Sequence, residues 1–224
     1  MSILNKKPIY VINYKAYSTS YGDDALEIAK IAEEVSNEED ANIIISVPHT
    51  ELYRISSNVN IPVFSQSVSE FSDGSHTGFV TSNQINSSGA CGSLINHSEN
   101  RVRLDLIETM IERLNKNNLI SIVCANDENV GSAISTLKPD AVAVEPPELI
   151  GGDVSVSSAK PEIIEESVKK IIKINSDEII LVGAGIKNRE DVKKSIELGA
   201  DGVLVASKVM KSDNPKEALK ELII

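Results

Sequence analysis

Eight short runs of apolar and β-branched residues recur along the 224-residue chain: PIYVIN at 8–13, NIIISV at 42–47, IPVFSQ at 61–66, CGSLIN at 91–96, LISIVC at 119–124, DAVAVE at 140–145, EIILVG at 178–183 and DGVLVA at 201–206. Between them lie segments in which apolar residues return every three or four positions, as in DDALEIAKIAEEV, RVRLDLIETMIERL, PEIIEESVKKIIKI and REDVKKSIELG. Near-continuous apolar strands need cover on both faces, so their alternation with amphipathic helices predicts a parallel sheet wrapped by helices. Eight such units in a chain of this length favour a closed (β/α)8 barrel over an open doubly wound sheet. HTELYRISSNVN and TSNQINSSG leave room for little more than a turn or two, so two of the helices should be abbreviated. No shift in composition marks a linker, and residues 1–224 read as one domain.

Composition narrows the functional classes. With 41% hydrophobic residues the chain can bury a sizeable core. A net charge of −11 without a basic cluster argues against nucleic acid or an anionic membrane surface as partner. No apolar run approaches the roughly 18 residues of a membrane span, and the start MSILNKKPIYVIN lacks the apolar stretch of a secretory signal, so a cytoplasmic location is expected. Cys91 and Cys124 stand far apart, with no CxxC spacing and no histidine-rich neighbourhood. They read as reduced thiols on strands, and no metal site is expected.

In a parallel barrel the chemistry gathers where the strands end. The first strand exits into Asn13 and Lys15, the fourth into Asn96 and His97, and the sixth into Glu145. A cation, an imidazole and a carboxylate would thus share one rim. Strands seven and eight exit into Gly183-Ala184-Gly185 and Ala206-Ser207-Lys208, small residues that let backbone N–H groups approach a phosphate. Each feature has an ordinary reading by itself: a solvated lysine, a capping histidine, a loop salt bridge, a common helix start. Their coincidence on one rim carries the argument.

The stretch AVAVEPPELIGGDVSVSSAKPE, residues 141–162, ends a strand on Glu145 and follows it with Pro146 and Pro147, through which neither strand nor helix continues. Gly151, Gly152 and a run of small residues lead to a helix start expected near Ser158, so the segment 146–160 reads as a lid beside the acid. His97 is expected just before a helix beginning at Ser98 or Glu99, whose positive end would favour a neutral imidazole.

NYKAY at 13–17, DGSHTGFVT at 73–81, GSLINHSENR at 92–101, VEPPELIGGD at 144–153 and GADGVLVAS at 199–207 closely resemble triosephosphate isomerase, in particular its short archaeal branch. The matching stretches span most of the chain in the right order, and INHSE with EPPELIG is the specific pair. The resemblance implies a TIM barrel that interconverts dihydroxyacetone phosphate and D-glyceraldehyde 3-phosphate in glycolysis and gluconeogenesis, with no cofactor and no metal. It implies Glu145 as catalytic base, His97 as electrophile, Lys15 and Asn13 as the active-site lysine and asparagine, and Glu99 as the carboxylate after the histidine. Phosphate contacts fall on Gly151, Gly183, Gly185, Ala206 and Ser207. A homo-oligomer, dimer or tetramer, is also implied, with Thr77 of the loop SDGSHTGFV reaching towards a neighbouring copy. Three positions depart from the family's usual pattern: Asp153 in the lid, Phe79 after HTG, and Lys208 after AS. Other phosphate-binding barrels share the two small-residue exits but lack the specific pair. A Schiff-base aldolase would need a lysine inside a strand, which none of the eight contains. A barrel retained only for binding would have little reason to keep Asn13, Lys15, His97 and Glu145 together.

Overall fold

A computed structural model describes residues 3–146, 155 and 161–224. Eight parallel strands follow one another in chain order around a closed barrel, with the last paired to the first. They are β1 Ile9–Asn13, β2 Asn42–Val47, β3 Val63–Ser65, β4 Gly92–Ile95, β5 Ile120–Ala125, β6 Ala141–Val144, β7 Ile180–Val182 and β8 Gly202–Val205. Every strand expected from the apolar runs is present, with bounds shifted by no more than two residues.

The helices among the described residues are α1 Gly22–Glu38, α2 Leu52–Ser56, α3 Ser82–Ser87, α4 Leu104–Lys116, α5 Glu128–Ser135, α6 Pro161–Ile174, α7 Arg189–Glu197, α8 Ser207–Met210 and α9 Pro215–Lys220. As expected, α2 and α3 are short. The six-residue α3 still has both ends of a capping box, in which Thr81 Oγ1 accepts from the Gln84 N–H and Gln84 Oε1 accepts from the Thr81 N–H. The helix α6 starts at Pro161, where the missing N–H costs no intrahelical bond. The expected start near Ser158 lies outside the described residues. No helix among the described residues is long and apolar enough to cross a membrane.

The period of two along each strand divides the core into two shells. Ile9, Val11, Ile44, Phe64, Leu94, Ile122, Cys124, Ala141, Ala143, Leu181 and Leu204 fill the barrel interior. Tyr10, Ile12, Ile43, Ile45, Val123, Val142 and Val203 belong to the outer shell, with the buried faces of the helices. Continuing the inward set by two residues leads from Val11 to Asn13, from Ala143 to Glu145, from Leu181 to Gly183 and from Leu204 to Ala206. The alternation that packs the interior therefore brings these four to its carboxyl end.

The opposite end is closed by backbone fit and by aspartates. A Cβ on Gly202 would stand 2.1 Å from the Ile9 carbonyl oxygen, and one on Gly92 2.4 Å from that of Ile120. Asp140 Oδ2 accepts from the Ser121 N–H at 2.8 Å, and Asp201 Oδ2 accepts from the Ile180 N–H at 2.9 Å. The other oxygen of Asp201 pairs with Lys7.

Candidate active site

The loop after β1 turns sharply because Lys15 takes a left-handed backbone conformation, φ 49°. Such a conformation is costly for a lysine unless its neighbours fix it. Here Asn13 fixes it, since its Oδ1 accepts from the Lys15 N–H at 2.9 Å and from Gln66 Nε2 at 3.2 Å. Gln66 Nε2 is also 3.0 Å from the Lys15 carbonyl oxygen. Lys15 Nζ then reaches Glu99 Oε1 at 2.8 Å.

After β4 the chain makes a second left-handed turn at Asn96, φ 59°. Its side chain ties the turn down, with Nδ2 donating to the Cys124 carbonyl at 2.9 Å and Oδ1 accepting from the Val102 N–H at 3.0 Å. Arg101 donates to the Asn96 carbonyl at 2.6 Å. The result is a buried His97 whose two nitrogens have different partners. The Glu99 N–H donates to Nδ1 at 3.2 Å, and Nε2 lies 3.0 Å from Glu145 Oε1. With Nδ1 turned to the Glu99 N–H, Nε2 is the ring nitrogen directed at Glu145.

The helix expected at Ser98 or Glu99 is not there. Residues Ser98 and Glu99 form a turn, closed by the Asn100 N–H on the His97 carbonyl, and α4 begins only at Leu104. A single oriented N–H, that of Glu99, takes the place of the helix terminus beside the imidazole.

Glu145 is 2% exposed. Its own N–H donates to the Ala125 carbonyl, which continues the β5–β6 pairing one residue past the strand. Oε2 accepts from the Ser98 N–H at 3.2 Å. Gly183 makes room for the side chain, because a Cβ there would lie 2.7 Å from Glu145 Cγ. On the far side sits Cys124, fully buried. Burial first, and the Glu145 carboxylate second, push its thiol well above its ordinary range and keep it protonated. Both cysteines are free thiols, as expected.

These groups open onto a cavity of about 370 Å³. Lys15, His97, Glu99, Glu145, Gly183, Gly185, Ala206 and Ser207 line it, so eight of the ten residues read from the sequence converge there. Asn13 is buried and holds the Lys15 turn from below. Gly151, Asp153 and the lid segment lie outside the described residues, apart from Pro146 and Ser155. The strand-exit reading gave no role to Gln66, Ser98, Arg101, Tyr17 or Lys211. Gln66 was accessible to that reading, as it stands at the exit of β3. The departure at Lys208 has a plain account: its ammonium bonds Glu221 Oε2 at 2.6 Å and serves α8–α9 packing.

The family model described as triosephosphate isomerase matches residues 8–223. The triosephosphate isomerase of Methanothermus fervidus is 47% identical over 217 residues, covering 97% of this chain and 98% of its own. That of Sulfurisphaera tokodaii is 47% identical over 219 residues, covering 98% and 95%. Among solved structures, a triosephosphate isomerase from Bartonella henselae superposes with a TM-score of 0.72 at 18% identity, covering 92% of this chain and 94% of that one, which bears on the fold.

Proposed function

Because the chain belongs to the triosephosphate isomerase family, we propose that it interconverts dihydroxyacetone phosphate and D-glyceraldehyde 3-phosphate through an enediolate, with Glu145 as base and His97 as neutral hydrogen-bond donor. The observation that carries the assignment of roles is the 3.0 Å contact between His97 Nε2 and Glu145 Oε1 at the floor of the cavity. A substrate carbonyl entering there takes the Nε2–H for itself and releases Oε1 to accept the proton from the adjacent carbon. Glu145 then returns that proton to the neighbouring carbon, while the imidazole N–H follows the negative charge between the two oxygens. The Ser98 N–H on Oε2 keeps the carboxylate aimed during the exchange. Lys15 adds fixed positive charge, aligned by Asn13 and by Glu99. Backbone amides at Gly183, Gly185, Ala206 and Ser207 serve the phosphate, which lets an acidic protein bind a dianion through oriented dipoles.

On this reading the protein works in cytoplasmic glycolysis and gluconeogenesis as a homo-oligomer, dimer or tetramer. The loop 71–79 supports association: Phe71 stacks on His76 with ring centroids 4.1 Å apart and meets Phe79 edge-on at 4.8 Å, yet Phe79 stays 51% exposed beside an exposed Thr77. An aromatic cluster ordered within one copy and uncovered by it suits a second copy. Sedimentation should give an assembly, and a fully active monomer at nanomolar concentration would contradict this.

A coupled assay in both directions tests the reaction. Glu145→Gln should lower kcat by on the order of 10³-fold or more with the fold retained, since the amide keeps the shape and loses the base. Near-parental turnover in the purified variant would remove Glu145 from the mechanism.

A further inference from the structure

The cavity is lined by three lysines, Lys15, Lys187 and Lys211, and by two glutamates, Glu99 and Glu145, so its wall carries a net charge of 3 − 2 = +1 in a chain whose net charge is −11. The positive groups differ in how much charge they offer. Lys15 is 2.8 Å from Glu99 Oε1 and shares its charge with that carboxylate. Lys187 and Lys211 have no ion-pair partner among the described residues, and of the two it is Lys211 that an aromatic ring holds in place. Its Nζ rests 5.0 Å from the centre of the Tyr17 ring.

That position is held from both sides. Tyr17 lies two residues beyond Lys15 on the loop after β1, and its carbonyl receives both the N–H and the hydroxyl of Ser20. Within the same turn, Thr19 Oγ1 donates to the Met210 carbonyl at 2.7 Å, which joins the loop to the residue preceding Lys211. The β1 loop therefore carries one lysine into the cavity itself and, through the tyrosine face, positions a second at its wall. A cation on an aromatic face keeps its charge, because the ring satisfies it without neutralising it. Lys211 lines the cavity together with Ala206 and Ser207 and directly follows the helix that Ser207 begins, so it belongs to the segment from which phosphate contacts are expected.

We infer that Lys211, held over the Tyr17 ring, is a phosphate-binding residue that contacts the phosphate dianion of the substrate and draws it into the cavity. The inference rests on the isomerase reading above and adds a side-chain cation to the amide contacts. It also accounts for how a strongly acidic protein attracts a dianion: a local unpaired cation at the cavity wall outweighs more distant negative charge that salt screens over roughly 10 Å.

The test uses the full-length protein with Lys211→Gln, Lys211→Arg and Tyr17→Leu, assayed for isomerisation and titrated calorimetrically with inorganic phosphate. Lys211→Gln should raise KM for glyceraldehyde 3-phosphate and weaken phosphate binding, each by about tenfold, while kcat falls by less than threefold. Its kcat/KM should depend less steeply on ionic strength than the parent's. Lys211→Arg should recover most of the loss, and Tyr17→Leu should raise KM by about threefold by releasing the ammonium from its seat. Deuterium exchange into D-glyceraldehyde, which has no phosphate, should not differ between parent and Lys211→Gln. A Lys211→Gln enzyme with parental KM and parental phosphate affinity would overturn the inference, and so would an equal loss on D-glyceraldehyde. If the parent failed to isomerise yet bound phosphate in a Lys211-dependent way, the isomerase reading would fall and the phosphate contact would stand.

Discussion

At the amino end of the barrel Asp140 and Asp201 each give one oxygen to a backbone N–H of the preceding strand, at 2.8 and 2.9 Å. At the carboxyl end Glu145 receives one backbone N–H, and its other oxygen meets an imidazole nitrogen at 3.0 Å beside an open cavity. The glycines of the two ends differ in the same sense. Gly202 and Gly92 are pressed against backbone carbonyls, whereas Gly183 is pressed against the side chain of Glu145. One end uses close approach to shut the barrel. The other uses it to seat Glu145 at the cavity, so similar carboxylates stabilise at one end and, in the proposed mechanism, react at the other.

Substitutions at matched glycines should separate the two uses most sharply. Gly202→Ala places a methyl 2.1 Å from the Ile9 carbonyl oxygen, where only backbone movement gives relief. A loss of at least about 4 kcal/mol is expected, enough to leave little folded protein, as read by circular dichroism and chemical denaturation. At the other end, Gly183→Ala meets Glu145 Cγ at 2.7 Å, which the side chain can relieve by shifting. The protein should fold, with Tm lowered by only a few degrees, and kcat should drop on the order of 10²-fold because misplacing the base by about an ångström is costly. A catalytically normal Gly183→Ala would dissolve the contrast.

Asp201→Ala removes the acceptor of the Ile180 N–H and the partner of Lys7. A stability loss of about 1–2 kcal/mol by urea denaturation is expected, with KM and kcat of the folded protein retained. The site lies at the other end of the strands, so loss of activity out of proportion to loss of folded protein would show that the ends are coupled.

How far the sequence discloses this division follows from the range of the interactions involved. The strands are legible because a barrel interior imposes a period of two on local sequence, and the same period carries Asn13, Glu145, Gly183 and Ala206 to one end. The pair His97 and Glu145 is legible because each sits at a strand exit. What periodicity cannot convey is the contact between non-adjacent segments: the Ser98 N–H on Glu145, the Arg101 clamp on the Asn96 carbonyl, and the Lys211 ammonium over Tyr17. The misplaced helix at Ser98 has a related cause. HSENR offers a serine and an acid in the order of a helix start, but Arg101 and Val102 are claimed by Asn96, and the chain stays in a turn until Leu104. The charged residues of that stretch serve the loop and leave the helix to the apolar repeat that follows.

The smallest effect concerns Glu178, two residues before β7 at the amino end. Ser135 Oγ donates to its Oε2 at 2.6 Å and Asn175 Nδ2 lies 3.3 Å away, while Oε1 is buried without a hydrogen-bond partner among the described residues. Burial raises its carboxyl above the ordinary range, more than those two donors lower it. The native state therefore holds this proton more tightly than the unfolded chain. Between the two titrations the native protein binds more protons, so the Glu178 contribution favours folding at low pH and is lost as pH rises through the native value. Above that range the ionised side chain is a constant burden. Glu178→Gln removes the titration and keeps the volume, so at pH 8 the variant should melt about 1–3 °C higher than the parent. Near pH 4, where the parent is protonated there, the difference should shrink or reverse. An equal shift at both pH values would mean that packing, and not the buried charge, separates the two proteins, and Glu178 would then join Asp140 and Asp201 among the acids this end fully accommodates.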